Sequence, residues 1–554
     1  MEALINEFED MCRNAAAVQE EVLGNIVEHN ASCEFLQSYN VTDVDSFKAH
    51  VPVVGYEDIA AKIQRMADGD PASILCKDPV IAFISSSGTT TEKRNAFPLT
   101  TKSCDVKNHA MYKIAAAYIE RDFPVGSFPT ALAFMYALPC GTLSKSGIPI
   151  MPVSNFAFTS QAYKERPSRS TSPDEVIWGP WWESTYCHML CGLIQRMEVD
   201  YIISFFAYTL VYAFNMLEVE WRNLCHDIRT GKLDERVKDV KLRAAVAGVL
   251  HEDPDSAGFI EEVCSSKESW DQGIVPQLWP KAKYLHTVVT GGMKPYVPAL
   301  RKYAGGVHII GKAYIGSEGV YGINMDPTTE AENVVFTLVP TTLYMEFLRL
   351  RDNKLVDSSN LEIGEQYELV ITTYSGLYRY KVGDVVRVVS FFHQSPQMAF
   401  EYRTSALLSV NLDVTSEQEL QNVVRRTCNE ANLKIVDFTS QSNQTEQPGY
   451  YVIYWELKNK PDYSNHALLN RCCDVLDRSF TSSTYIMGRR SGTIGPLKLV
   501  ILERGSFGRI MEHAVSNGSA PGQYKTPRCI KSPKVLKILE EGIVSTYRSS
   551  KYPR

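Results

Sequence analysis

Residues 85–95, Ser-Ser-Ser-Gly-Thr-Thr-Thr-Glu-Lys-Arg-Asn, set six hydroxyls around one glycine. Backbone N–H groups in such a turn, with serine and threonine hydroxyls beside them, donate to anionic oxygens without bringing a competing anion. The segment is therefore either a phosphate cradle, through Ser86, Ser87, Gly88, Thr89 and Thr90, or a capped turn after a strand. It lacks the Gly-Lys-Ser/Thr of a Walker loop and the GxGxxG of a dinucleotide site. A second candidate is Glu318, in the glycine-flanked stretch Ala-Tyr-Ile-Gly-Ser-Glu-Gly (313–319). A carboxylate in a turn after a strand can hold magnesium that bridges phosphates, or it can simply face water. The third is Asp384, following Gly383 between two strand-like runs in GLYRYKVGDVV (376–386). Such an aspartate can accept both hydroxyls of a ribose, or it is an ordinary turn residue.

Hydrophobic periodicity supplies the elements that must carry these groups. Leu4, Phe8, Met11, Ala15, Val18, Val22 and Ile26 recur every three or four residues, which predicts an opening amphipathic helix. VIAFISSSG reads as a buried strand running into the hydroxyl turn, and a helix after it would complete a strand, loop, helix unit. TALAFMYAL, KLRAAVAGVL, AKYLHTVVTGG, VHIIGKAYIG, ENVVFTLVP, YELVITTY and DVVRVVSFF are further strand candidates. Helical stretches such as EVIWGPWWESTYCHMLCGLIQRM lie between several of them, so the interior is expected to be α/β, with antiparallel or barrel-like pieces where strands follow closely. YIISFFAYTLVYAFNML (201–217) reads as a buried core helix, short of the ~20 residues a bilayer requires. After residues 404–416 the pattern becomes helix, strands, helix, strand and terminal helix, the content of a compact α+β domain.

Composition bounds the function. At 554 residues the chain exceeds a single core, and its 44% hydrophobic and 22% charged content is that of a globular protein. With 57 basic and 64 acidic residues, net −7, it offers no field that gathers nucleic acid or anionic lipid. Neither nucleic acid nor a membrane is expected as a partner, and nothing implies an oligomer. Thirteen scattered cysteines without a CxxC pair suggest reduced thiols in a cytoplasmic setting. Cys187 with Cys191, and Cys472 with Cys473, fit helical core positions better than a metal site. The acidic, amphipathic N-terminus reads as neither secretory signal nor transit peptide.

The order hydroxyl loop, glutamate turn, Tyr-Arg-x-x-Gly-Asp, hinge and small C-terminal domain resembles the adenylate-forming enzymes. SSGTT, TSPDEVI (171–177), YCHMLCGL (186–193), YLHTVVTGGMKPYVP (284–298), GSEG, GLYRYKVGD, PGYYVIYWE (448–456) and GQYKTPRC (522–529) more closely resemble the Gretchen Hagen family of plant acyl-acid amido synthetases. The resemblance implies a large N-terminal adenylating domain (1–404) with mixed sheets and a barrel-like part, a hinge (405–416) and a small mobile C-terminal domain (417–554). It implies ATP and Mg2+, a small carboxylic acid of jasmonate-like or benzoate-like kind, and a free amino acid as acceptor. Ser86, Ser87, Gly88, Thr89 and Thr90 would then cradle phosphates, and Glu318 would sit at magnesium and the α-phosphate. Asp384 would grip the ribose, with Tyr314 and Arg403 at the nucleotide. Lys534 would be a catalytic cation swinging in from the small domain, although at the start of a helix it could equally be a solvated lysine. Lys312, Lys113 and Val320 would line the acid.

The chain also departs from that pattern. Glu92 and Asn95 stand where a glycine and a lysine are usual, and Val414 stands where many members carry a hinge lysine. Those changes leave open a degenerate member that binds nucleotide or ligand as a regulatory protein. Lys312 occupies a place often held by His, Thr or Ala; its ammonium either pairs with a second anionic group on the acid or faces solvent.

Overall fold

The computed structural model describes residues 2–85, 95–137, 142–166, 168–404, 408–410, 413–458, 466–519 and 524–550. Its buried apolar residues include one large cluster drawn from Val22 to Met398 and, among the smaller ones, two formed by residues from Leu408 onward. In the larger unit a five-stranded parallel sheet runs in the order Arg169–Ser170, Thr130–Ala133, Val199–Phe206, Tyr284–Val288, His308–Ile310. Parallel neighbours require long crossovers. Helices supply them, among them Trp181–Ile194 and Ala207–Thr230. An eight-stranded antiparallel sheet follows, in the order Ala313–Ile315, Val320–Ile323, Phe336–Leu338, Ser395–Arg403, Tyr380–Phe392, Gln366–Thr372, Tyr344–Arg349, Lys354–Asp357. The expected α/β interior with antiparallel pieces beside it is what the chain forms.

In the smaller unit a four-stranded sheet is ordered Ile435–Asn443, Tyr450–Leu457, Lys498–Leu502, Ile543–Arg548. Every residue of Tyr450–Leu457 is buried because both faces are covered. Tyr451, Ile453 and Trp455 point to one apolar layer, with Leu420 and Leu469 from two helices, while Tyr450, Val452 and Tyr454 point to the other, with Phe507 and Leu539. The segment expected as a hinge contains a short hairpin, Leu408–Val410 with Asp413–Thr415, and Leu408 and Val410 are buried in the smaller unit's core.

Several local expectations are corrected. The stretch 201–217 is a strand to Phe206 and a helix from Ala207, so a continuous apolar run conceals two buried elements that hydropathy cannot separate. KLRAAVAGVL forms the helix Val240–Val246, capped by Asp239, rather than a strand. The opening helix is two, Glu2–Arg13 and Ala15–Asn30, and the end of the chain turns from helix Pro533–Glu541 into strand Ile543–Arg548. Beyond residues 86–94, which lie outside the described residues, the chain continues as a strand, Ala96–Thr100, paired antiparallel with Val80–Ser85, and only then as the helix Thr101–Asp122, so the expected strand, loop, helix unit has a second strand before its helix. Among the described residues no helix is long and apolar enough to cross a membrane.

Arg379, from the GLYRYKVGD stretch, braces the N-terminal helices against the antiparallel sheet. Its guanidinium meets the Glu346 carboxylate through Nε at 2.9 Å and Nη2 at 2.6 Å, while Nη1 donates to the carbonyls of Lys48 and Val51 at 2.8 and 2.9 Å. Removing one partner of a buried pair leaves an uncompensated charge. Arg379→Met is therefore expected to lose about 3–5 kcal/mol of stability in urea unfolding.

Candidate active site

The site is built around Asp384. Gly383 adopts φ 82°, and the pairing register shifts between Glu368 and Val370 on the facing strand. This is a bulge, which re-aims a side chain within a ladder and needs a residue tolerant of positive φ. Asp384 consequently lies inside a strand, directly opposite Arg403, and not in the turn that Gly-Asp suggests from sequence. Its carboxylate accepts from the Tyr314 hydroxyl at 2.8 Å and from Arg403 Nε at 2.6 Å, and the residue is 2% exposed. These contacts fill two of the roughly four acceptor positions of a carboxylate. The neighbouring Asp384 charge pushes the Arg403 guanidinium above its already high pKa, and burial followed by Asp384 raises the Tyr314 phenol. The Tyr314 ring is held among Tyr321, Phe336 and Phe400, with centroids 5.0, 5.6 and 5.8 Å away.

Glu318 lies in the turn between the paired strands Ala313–Ile315 and Val320–Ile323, closed by Gly316 N donating to Gly319 O at 2.8 Å. A Cβ on Gly316 would fall 2.2 Å from the Tyr321 hydroxyl and 2.6 Å from Glu318 Oε2, so any side chain there would displace both groups. Tyr321 donates to that oxygen at 3.2 Å. Burial raises the Glu318 pKa, and the Arg403 charge opposes the rise. Among the described residues no three His, Cys, Asp or Glu side chains converge as a metal cage. A lone carboxylate fits magnesium only in the way that ion binds nucleotides, completed by phosphate oxygens and water.

Among the described residues a cation of the smaller unit, Lys525, feels the charges of this cluster. Its ammonium sits 4.8 Å from the Phe206 ring centroid. Burial foremost, with Arg403 adding to it, lowers its pKa to about 8, against the pull of Asp384 and Glu417. Lys534 is exposed in the first turn of the helix Pro533–Glu541. Lys525 stands in the quoted stretch GQYKTPRC, but a loop lysine carries no local signal of a partner more than a hundred residues away. Lys113 is exposed on the helix Thr101–Asp122, and Val320 is a core residue packed with Phe8, Cys12, Ile114 and Tyr118. Lys312 is partly buried, two residues beyond Ile310, which pairs with His286. Burial lowers its pKa to about 8, leaving it cationic at neutral pH, while burial and the Lys312 charge lower His286 to about 3. Ser86, Ser87, Gly88, Thr89, Thr90 and Glu92 lie outside the described residues.

Comparison with solved structures places the fold in a known class. A GH3.15 acyl acid amido synthetase superposes with a TM-score of 0.91 at 33% identity, covering 100% of this chain and 98% of its own. A 2-hydroxyisobutyryl-CoA ligase in the postadenylation state, bound to 2-HIB-AMP, shares the fold with a TM-score of 0.51 at 10% identity, over 96% and 92% of the two chains. The fold is that of the adenylate-forming enzymes. Descriptions of the GH3 family match along the chain: its N-terminal domain at residues 4–309, its central domain at 336–403 and its C-terminal domain at 418–534. The rice (Oryza sativa subsp. japonica) jasmonoyl--L-amino acid synthetase GH3.5 is 37% identical over 580 residues, spanning 100% of this chain and 99% of its own. The Arabidopsis thaliana indole-3-acetic acid-amido synthetase GH3.10 is 35% identical over 588 residues, spanning 99% and 98%. The chain belongs to the GH3 family.

His286 gives the site a pH signature. With a folded pKa of about 3 against an ordinary 6.5, the unfolded chain binds the proton first, so stability falls as pH drops below 6.5. His286→Gln is expected to flatten that fall between about pH 6.5 and 5, above the usual carboxylate range, in pH-dependent urea titrations. An equally steep limb would mean that the ring accepts its proton in the folded protein.

Proposed function

We propose that the protein is an ATP- and magnesium-dependent ligase of the plant cytosol that joins a small carboxylic acid to a free amino acid. The observation that supports this best is the buried Tyr314–Asp384 pair, held by the half-exposed Arg403, with the charge of Lys525 brought to it from the smaller unit. A carboxylate is a poor electrophile until one oxygen becomes part of a good leaving group. In the first step an oxygen of the acid attacks the α-phosphorus of ATP and pyrophosphate departs. In the second, the amine attacks the acyl carbon, loses a proton, and AMP leaves as the amide forms. The work of the protein is positioning and charge stabilisation.

In this reading Asp384 accepts the ribose hydroxyls, its carboxylate oriented by Arg403 and Tyr314. Ser86, Ser87, Gly88, Thr89 and Thr90 donate to the phosphates, and Lys525 faces the charge that develops at the α-phosphate. Glu318 would hold magnesium, which supplies charge neutralisation across the phosphates. Lys534 would come to the site only through a turn of the unit 417–554 about residues 405–416. Lys113 and Val320 remain proposed for the acid side, Val320 through the apolar wall it shares with Tyr118.

Identities of 37% and 35% to relatives named for jasmonate and for indole-3-acetate are too close to choose the acid from whole-chain similarity. Jasmonate-like and benzoate-like acids are the first to test, and Lys312 beside His286 favours those with a second anionic or strongly accepting group. The second reading, a binding protein without adenylating activity, is favoured by Glu92 and Asn95, which put an acid and an amide where glycine and lysine are usual.

Incubating the protein with ATP, magnesium and a panel of acids, and following pyrophosphate with and without amino acids, separates the two. The enzyme reading predicts acid-dependent pyrophosphate release and an amide conjugate by mass spectrometry; nucleotide binding without release for any acid supports the regulatory reading. Lys312→Met is expected to raise KM for acids with a second anionic group by about tenfold relative to mono-acids, the range of a charged hydrogen bond. An unchanged ratio refutes that role.

A further inference from the structure

The two units meet over a buried knot of charge. Tyr296, closing the turn Gly291–Tyr296 of the larger unit, donates its hydroxyl to Asp437 Oδ2 at 2.6 Å. Thr526 Oγ1 of the smaller unit donates to the same oxygen at 2.7 Å, and Arg528 Nη1 donates to Asp437 Oδ1 and to the Phe438 carbonyl. Arg528 Nη2 donates to the Tyr296 oxygen at 3.2 Å, and its guanidinium lies 4.4 Å from the Phe438 ring centroid. None of Tyr296, Asp437, Thr526 and Arg528 is more than 7% exposed. Among the described residues, a phenol of the larger unit thus completes a network whose other members belong to the smaller one. Alongside it Tyr208 packs edge-on against Tyr296 and Tyr524, at 5.3 and 6.0 Å, and donates to Met511 Sδ at 3.2 Å.

Lys525 sits in the middle of this docked segment. Its neighbour Thr526 is held by Asp437, and Tyr524 packs on Tyr208. Further on, Ser440 N donates to Arg528 O at 2.9 Å and Ile530 N to Ser440 O at 2.8 Å, which joins the segment to the edge of the small sheet. The backbone around Lys525 therefore has little freedom while the knot is intact. Among the described residues the ammonium is met by the Phe206 face and the surrounding charges.

The geometry points to Tyr296, Asp437 and Arg528 as positioning residues that dock the segment 524–530 so that Lys525 is presented to the Asp384–Arg403 cluster. Loss of the Tyr296 hydroxyl uncouples that segment from the larger unit, and the cation withdraws with it. The catalytic consequence rests on the proposed ligase reading: charge builds on the α-phosphate during adenylation, so this step needs the docked Lys525, whereas amide formation from a finished acyl-adenylate does not.

Tyr296→Phe in the full-length protein tests both halves. Acetylation of lysines by an N-hydroxysuccinimide ester, followed by peptide mass spectrometry, reads the placement. Lys525 is expected to react about fivefold faster in the variant, Lys534 at the same rate in both proteins, on the scale of one lost hydrogen bond. An unchanged Lys525 rate overturns the proposal. ATP–pyrophosphate exchange is expected to fall about tenfold in the variant, while amide formation from a synthetic acyl-adenylate stays within about twofold. Equal losses in the two steps would mean a structural role only and also overturn it. If wild type shows no exchange with any acid, the ligase reading fails while the acetylation result still decides the positioning. Should Tyr296→Phe not fold, Thr526→Val removes another donor to Asp437 from the opposite side. The same selective rise at Lys525 supports the proposal, and its absence overturns it.

Discussion

Asp384 is kept almost wholly out of solvent between a phenol and a guanidinium, and the rest of the site is arranged by that requirement. A buried carboxylate without partners would be neutralised or would unfold its surroundings. Arg403 supplies charge from directly across the ladder, and Tyr314 supplies a hydrogen bond from a strand at the far edge of the same sheet. The bulge at Gly383 brings the three together, and the aromatic rings around Tyr314 fix where its hydroxyl lies. The Glu318 turn shares this environment, because its strand carries Tyr314 and its carboxyl feels the charge of both Arg403 and Asp384.

Charge at the unit boundary follows the same logic on a larger scale. Asp437 and Arg528 are buried where the smaller unit meets the larger, and Glu417 at the start of the helix Glu417–Glu430 lies within reach of Arg528, Lys525 and Arg403. Buried ion pairs contribute little net stability, but breaking one is expensive, so they specify an arrangement better than they strengthen it. Among the described residues, the cations whose charge acts with that of Asp384 in this arrangement include Arg403 and Lys525.

Much of the architecture is readable from the sequence because periodicity and burial agree. Tyr450–Leu457 alternates between two apolar layers, and the helix Glu417–Glu430 shows its stripe plainly. The failures share a cause: residues 201–217 are apolar throughout, so a strand and a helix look alike, and Gly-Asp is the composition of a turn even when a bulge inside a strand requires it. Asp384, Glu318 and Arg403 could be singled out by motif order, yet their hydrogen bonds could not, since Tyr314 is 70 residues from Asp384. Lys525 was the residue least visible, because nothing in Gln-Tyr-Lys-Thr-Pro says what it will face. Tyr296 is similar: its meaning exists only at the boundary with a unit 141 residues further on.

The central claim is that Asp384 reads the ribose of an adenylate. It is tested most directly by equilibrium binding of a non-hydrolysable acyl-sulfamoyl adenosine and its 2′,3′-dideoxy counterpart to wild type and Asp384→Asn. The account predicts that wild type prefers the hydroxylated ligand by about 100-fold, the worth of two hydrogen bonds to a charged acceptor, and that Asp384→Asn loses most of that preference. A preference that survives intact in Asp384→Asn would contradict it, since the hydroxyls would then be recognised by some other group.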